Sequence, residues 1–224
     1  MEELKTFRHE QKYVIPYYTM LSLRGKFNDL LKPDRSTNGY MVRSLYLDSI
    51  NDDDYYDKLG GETNRKKIRL RIYDTVRDYV KLEIKAKMDM HQLKESIVIN
   101  KNTARELIKG NYRVLLDIDS EVAKKIYSIM AKGYYRPKVI IEYDRIAYLT
   151  TTTTRITFDY NIKRSYDFDN FFNKKINYLK VTDGKDVVLE VKYDRFLEPY
   201  ITTILNNKEC RYQSVSKYIM GRNV

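Results

Sequence analysis

The sequence predicts an α+β fold: an antiparallel β-barrel tunnel with a charged interior, flanked by helices. Three observations predict it. Segments with period-two alternation outnumber helical ones. Neighbouring strands fall where hairpin partners would, which favours an antiparallel sheet over a doubly wound parallel one. Strand after strand sets Lys and Arg against an apolar face.

The stretch KIRLRIY, Lys67 to Tyr73, alternates without a slip, so Lys67, Arg69 and Arg71 share one face and Ile68, Leu70 and Ile72 the other. Earlier, FRHEQKYVI turns Arg8, Glu10 and Lys12 away from Phe7, Tyr13 and Ile15. Pro16 then opens a helix through YYTMLSLRGKFNDLL that ends before Lys32-Pro33. VRSLYLDS sets Ser44, Tyr46 and Asp48 opposite Leu45 and Leu47, and Asn51 to Gly61 reads as a loop or short helix ending in glycine. YVKLEIKAK sets Lys81, Glu83, Lys85 and Lys87 against Val80, Leu82, Ile84 and Ala86, and Lys94 to Ile99 is a further strand.

Thr103 to Lys109 reads as a helix behind an Asn102 cap, and Ser120 to Lys132 as one with Val122, Ile126, Ile129 and Met130 inward. In PKVIIEYDRIAY, Glu142 and Arg145 have opposite parity; a bulge near Asp144 would bring both to one face. RITFDY separates Arg155, Thr157 and Asp159 from Ile156 and Phe158, and VVLEVKY separates Glu190 and Lys192 from Leu189, Val191 and Tyr193. Short helices at Glu198 to Leu205 and Ser214 to Met220 follow.

One alternating strand is most simply the solvated face of a sheet. Six or seven such faces, which together concentrate Arg and Lys with a minority of acidic residues, call for another reason. Two like charges about 4 Å apart at an effective dielectric near 20 repel by roughly 4 kcal/mol, so cations gathered in a tunnel need water and an anion. Phosphate oxygens suit them, because Arg offers a planar fork and Lys a point charge. The carboxylates Glu10, Glu83, Glu142, Asp159 and Glu190 either neutralise their neighbours or, beside a phosphate chain, hold Mg²⁺ or Mn²⁺. Glu190 is the leading metal candidate.

Composition excludes several classes. Lys and Arg exceed Asp and Glu by 42 to 31, a formal charge of +11, which points to anionic partners. The 22 tyrosines reflect either a compositional bias or base stacking. One cysteine, Cys210, excludes an internal disulfide, and with only His9 and His91 it leaves zinc chemistry without ligands. No run of about 18 apolar residues and no signal peptide is visible, so a soluble, cytoplasmic chain with no direct membrane insertion is expected. Neither GxxxxGK[ST] nor GxGxxG occurs, so side chains would have to hold a nucleotide. No helix-turn-helix or aromatic RNA-binding signature appears either, and no nucleic-acid partner is expected.

The ordered series R8-H-E10-Q-K12-Y, S44-L-Y-L-D48, R65-K-K-I-R69-L-R71, L82-E-I-K85, R136-P-K-V-I-I-E-Y-D-R145, R155-I-T-F-D159, L189-E190-V-K192-Y and S214-V-S-K217-Y resembles the VTC domain. That domain is the polyphosphate polymerase branch of the triphosphate tunnel (CYTH-like) superfamily. The likeness runs from about Phe7 to Met220 and implies a single domain over residues 1–224, closed by a C-terminal helix. It implies ATP and polyphosphate as partners and Mn²⁺ or Mg²⁺ as cofactor. By motif, Lys12, Arg69, Arg71, Lys85, Lys94, Arg145 and Arg155 would grip phosphate, with Lys81 and Lys192 in support. Glu190, joined by Glu10, would ligate the metal, and Lys217 would contact the transferring phosphate. The chain departs from the superfamily's opening ExExK, since Arg8 stands at the first acidic position. Fewer acidic ligands imply one metal and a longer anionic substrate. A triphosphatase of the same fold, or a binding module for polyphosphate or nucleic acid, are the alternatives. If the chain works in a membrane-coupled assembly, the membrane part is a separate polypeptide.

Overall fold

The structure, a computed structural model, describes residues 9–36, 38–88, 91–150, 153–181, 186–206, 209–210 and 212–222. The expectation for Arg8 lies outside the described residues. In chain order the elements are β1 (His9–Pro16), α1 (Tyr17–Leu30), β2 (Lys32–Pro33), β3 (Tyr40–Asp48), α2 (Asp53–Leu59), β4 (Arg65–Ile72), β5 (Val80–Met88) and β6 (His91–Ile99). They continue with α3 (Lys101–Lys109), α4 (Glu121–Gly133), β7 (Arg136–Leu149), β8 (Arg155–Ser165), β9 (Leu179–Lys180), β10 (Asp186–Tyr193), α5 (Pro199–Leu205) and α6 (Lys217–Arg222). The pairs β1–β10, β10–β8, β2–β7, β3–β4, β4–β5 and β5–β6 are antiparallel, as expected of this α+β fold. Hydrogen bonding orders the strands β1-β10-β8-β7-β3-β4-β5-β6, with β2 on β7 and β9 on β8. No helix among the described residues is long and apolar enough to cross a membrane.

The chain divides into two compact units. The first comprises Met1–Met41, Tyr143–Ile162 and Lys180–Ser216; the second comprises Val42–Glu142, Lys163–Leu179 and Lys217–Val224.

In the first unit the apolar faces of β1, β8 and β10 supply Ile15, Ile156, Phe158, Leu189 and Val191, and α1 lays Met20, Leu23 and Phe27 against them. Each large apolar side chain so buried contributes roughly 1.5–3 kcal/mol. Pro16 precedes α1 in extended conformation, the expected start, because its fixed φ and missing N–H suit a helix entrance.

In the second unit Leu45, Leu47, Ile68, Leu70, Leu82 and Ile84 form one side of a core that α3 and α4 cover with Ala104, Leu107, Ile126 and Met130. The cap of α3 is Asn100, not the expected Asn102: Asn100 Oδ1 accepts the Thr103 N–H at 2.8 Å. Asn102 lies inside the helix, and its side chain accepts from Arg105 instead. The expected helix from Ser120 begins one residue later, at Glu121, with Ser120 as its cap, accepting the Ala123 N–H. The C-terminal helix begins three residues later than expected, at Lys217.

Helix α2 is fixed to this unit by a buried carboxylate. Asp54 accepts from the Tyr135 hydroxyl at 3.0 Å and pairs with Lys66 at 2.9 Å. Burial pushes its pKa up from 3.8 to about 6, against the pull of Lys66. The fold therefore favours protonated Asp54: the stability this gives is full below pH 3.8 and is lost as the pH rises through about 6. The loss amounts to about 3 kcal/mol. Asp54→Asn is expected to remove that component from the pH dependence of the melting temperature. A variant that kept the whole slope would contradict the assignment.

A charged candidate site on two strand faces

In the second unit the cations of β4 meet partners on both sides. The cross-strand rows run Ser44, Arg71, Lys81, Val98; then Tyr46, Arg69, Glu83, Ser96; then Lys67, Lys85, Lys94. The alternate residues Ile68, Leu70, Leu82 and Ile84 fill the core, so all these rows stand on the other face. Glu83 at their centre is fully buried. Arg69 Nε donates to it at 2.6 Å, Lys94 Nζ lies at 2.7 Å and Arg71 Nη1 at 3.6 Å. Burial alone would raise the pKa of Glu83, but Arg69, Arg71 and Lys94 hold it well below the usual carboxylate range. These cross-strand rows carry Lys67, Arg69, Arg71, Lys81, Lys85 and Lys94 with Glu83 as their carboxylate, so cations predominate along them.

Two phenols lie in the field of these cations. Burial would raise Tyr46, yet Arg69 and Arg71, helped by Lys217, bring it below its ordinary value. Arg71 and Lys81 lower Tyr73 against its burial in the same way. Lys81 lies over the Tyr73 ring, 5.7 Å from its centroid.

Lys217 reaches this field because α6 is pinned. Tyr218 stacks on Tyr46 with centroids 5.0 Å apart and donates its hydroxyl to Asp48 at 2.5 Å. Arg222 holds both Asp52 oxygens at 2.9 and 3.0 Å, and Arg164 donates to the Gly221 carbonyl at 3.1 Å.

In the first unit the charges alternate instead of accumulating. Glu10 lies opposite Lys192, which lies opposite Arg155; Lys12 lies opposite Glu190, which lies opposite Thr157. Lys192 pairs with Glu190 and, at 3.4 Å, with Glu10, which also meets Lys12 at 3.2 Å. Burial would raise Glu190, but Lys192 and Lys12 hold it well below the carboxylate range. Arg145 binds both Asp159 oxygens at 2.6 and 2.7 Å.

The sequence model of the VTC domain matches residues 7–224. The chain belongs to the VTC domain family. Among curated proteins no relative of the sequence is found. Solved structures share the fold of this VTC domain. A Hippeastrum protein, named for an adenylyl cyclase and described as having a dominant triphosphatase activity, is 14% identical, covers 97% of this chain and 96% of its own, and has a TM-score of 0.62. A Bacillus halodurans protein named for an adenylate cyclase is 13% identical over 89% of this chain and 86% of its own, TM-score 0.55. A Pyrococcus horikoshii protein is 10% identical over 96% and 97%, TM-score 0.52. At these identities the likeness is one of fold.

Of the residues singled out in sequence, the second unit of the VTC domain brings together Arg69, Arg71, Lys81, Lys85, Lys94 and Lys217. The first unit brings together Lys12, Lys192, Glu10 and Glu190, with Arg145 within the field of Glu190. Arg155 is held otherwise: it donates to Asp34 at 3.0 and 2.7 Å and to the Tyr40 hydroxyl at 3.0 Å. Glu142 receives Arg43 at 2.7 Å, Lys163 at 3.0 Å and the Tyr178 hydroxyl, while the left-handed residue near Asp144 is Asn161 of β8, whose amide donates to Asp144 at 2.9 Å. Sequence reasoning left Glu83 either a neutraliser or a metal ligand, and the structure pairs it with Arg69, Arg71 and Lys94; it did not single out Tyr46 and Thr157 as site residues. Alternation had placed both on charged faces, the one signal that could have found them.

A divalent cation fits the first unit's carboxylates. Glu10 and Glu190 are hard oxygen donors that already converge on one ammonium group, that of Lys192. No cluster of three or more metal-binding side chains of His, Cys, Asp or Glu occurs among the described residues. An ion there would take few carboxylates and complete its shell with water and substrate oxygens, which is how Mg²⁺ commonly binds.

Proposed function

We propose that this protein transfers the γ-phosphoryl group of ATP to the end of an inorganic polyphosphate chain and releases ADP. It acts in the cytoplasm with ATP and polyphosphate as its partners. Membership of the VTC family supports a polyphosphate- or triphosphate-related function. The observation that carries the reading further is the clustering of Arg and Lys side chains on one strand face around Glu83, which offers a polyanion several donors at once.

A terminal oxygen of the chain attacks the γ-phosphorus as the bond to the β-phosphate bridging oxygen breaks, and the electron pair leaves on ADP. Charge in such a transition state spreads over the equatorial oxygens, so positioned cations can catalyse without a protein nucleophile. Arg69 and Arg71 orient the phosphate oxygens, while Lys81, Lys85 and Lys94 extend the binding face. Lys217, set by α6 beside Tyr46, contacts the transferring group. Lys12, Arg145, Arg155 and Lys192 are the first unit's phosphate contacts, and Glu190 and Glu10, neighbours across Lys192, would hold the metal, Mn²⁺ or Mg²⁺. A divalent ion bound there would supply positive charge to neutralise the phosphates.

Incubation with ATP and Mn²⁺ tests the reading. Phosphate chains longer than the nucleotide's own are expected, with ADP released and little free phosphate. Free phosphate equal to ADP, with no chain product, would mean that water is the acceptor and the protein a triphosphatase. Tripolyphosphate binding without turnover under any metal would make it a binding module.

A further inference from the structure

Thr157 stands in β8 between Arg155 and Asp159, is 3% exposed, and its Oγ1 has no hydrogen-bond partner among the described residues. A buried polar atom left unpaired costs on the order of 1–3 kcal/mol, so it calls for a reason. The apolar core does not supply one: Ile156 and Phe158 on either side fill that core, which puts Thr157 on the opposite, charged face. There the register sets Thr157 directly across from Glu190, and Glu190 across from Lys12. Residues so opposed share a face with Cβ atoms about 4.5–5.5 Å apart. A phosphate oxygen bonded to this hydroxyl would sit against the Glu190 carboxylate. A cation would be attracted by both.

We propose that Thr157 Oγ1 is a third oxygen ligand, beside Glu190 and Glu10, for a hard divalent cation of the Mg²⁺ or Mn²⁺ type. The inference rests on the reading that those two carboxylates hold the metal. A neutral hydroxyl suits such an ion, which takes oxygen ligands and gains specificity from their number and placement. It also gives the buried Thr157 hydroxyl a partner.

The experiment is Mn²⁺ binding to the full chain without nucleotide, followed by electron paramagnetic resonance of the free ion. Wild type, Thr157→Val, Thr157→Ser and Glu190→Gln are compared. Thr157→Val is expected to weaken Mn²⁺ binding about tenfold or more, the scale on which even groups behind the ligands act. Thr157→Ser should keep wild-type affinity, and the metal-free melting temperature of Thr157→Val should hold or rise, since no bond is lost. Wild-type Mn²⁺ affinity in Thr157→Val, alongside a loss in Glu190→Gln, would overturn the inference and leave the carboxylate site standing. No saturable Mn²⁺ binding in the wild type would remove both. Weakened binding of metal-free tripolyphosphate by Thr157→Val, with Mn²⁺ affinity intact, would reassign the hydroxyl to phosphate. A markedly lower melting temperature for Thr157→Val would show that the hydroxyl is structural.

Discussion

Glu83→Gln is expected to lower the melting temperature by roughly 10 °C. Glu83 is fully buried and answers Arg69, Lys94 and Arg71. Removing one partner of a buried pair typically costs about 3–5 kcal/mol, because the remaining charge is left uncompensated, and each kcal/mol moves a domain of this size by about 2–4 °C. Glutamine keeps the shape and removes the charge, so the loss should be electrostatic. It should therefore be reversed by an anion: tripolyphosphate should raise the variant's melting temperature by more than it raises the wild type's. The pH dependence follows from the same contacts. Because Glu83 is held below its ordinary 4.5, its stabilisation is present above that pH and is lost only as acid approaches the lower folded value. Equal melting temperatures for wild type and variant would mean that water screens these cations and that Glu83 organises nothing.

Arg69→Ala carries the largest expected effect on turnover, a fall of about 10²–10³-fold, the scale for removing one donor from a site that stabilises developing charge. Arg69 spends Nε on Glu83 and turns Nη1 toward the Tyr46 hydroxyl at 3.4 Å, so the guanidinium is oriented before any ligand arrives. Arg69→Lys keeps the charge without the planar fork. It should retain much of the tripolyphosphate affinity and lose most of the turnover. Steady-state rates compared with calorimetric binding of tripolyphosphate separate the two effects. Undiminished turnover in Arg69→Ala would remove the second unit's face from the chemistry.

Much of this was legible in sequence because strand alternation is a local rule. KIRLRIY could not place Arg69 and Arg71 on a face apart from Ile68 and Leu70 in any other way, and the same rule located Glu190 beside Lys192. What stayed hidden depended on partners distant in the chain. Arg155 is bound by Asp34, 121 residues away. Glu142 follows Arg43 and Lys163, a choice that the parity of its own strand could not reveal. The cap of α3 was ambiguous for a simpler reason: Asn100 and Asn102 both suit a cap, and only the backbone decides which one sees the Thr103 N–H. Thr157 was on the right face from the start, but that its hydroxyl goes unpaired is a property of the packed structure.

The central claim is that the cations on β4, β5 and β6 form a phosphate site and are not a solvated sheet face. Its most direct test is the shift in melting temperature produced by tripolyphosphate, measured at about 0.15 M and about 1 M salt, where the screening length falls from about 8 Å to about 3 Å. A converging site predicts a shift that persists at high salt and is reduced by Arg69→Ala; ligand at about 100 times its dissociation constant adds roughly 2.7 kcal/mol. A small shift that vanishes at high salt and is indifferent to Arg69 would contradict it.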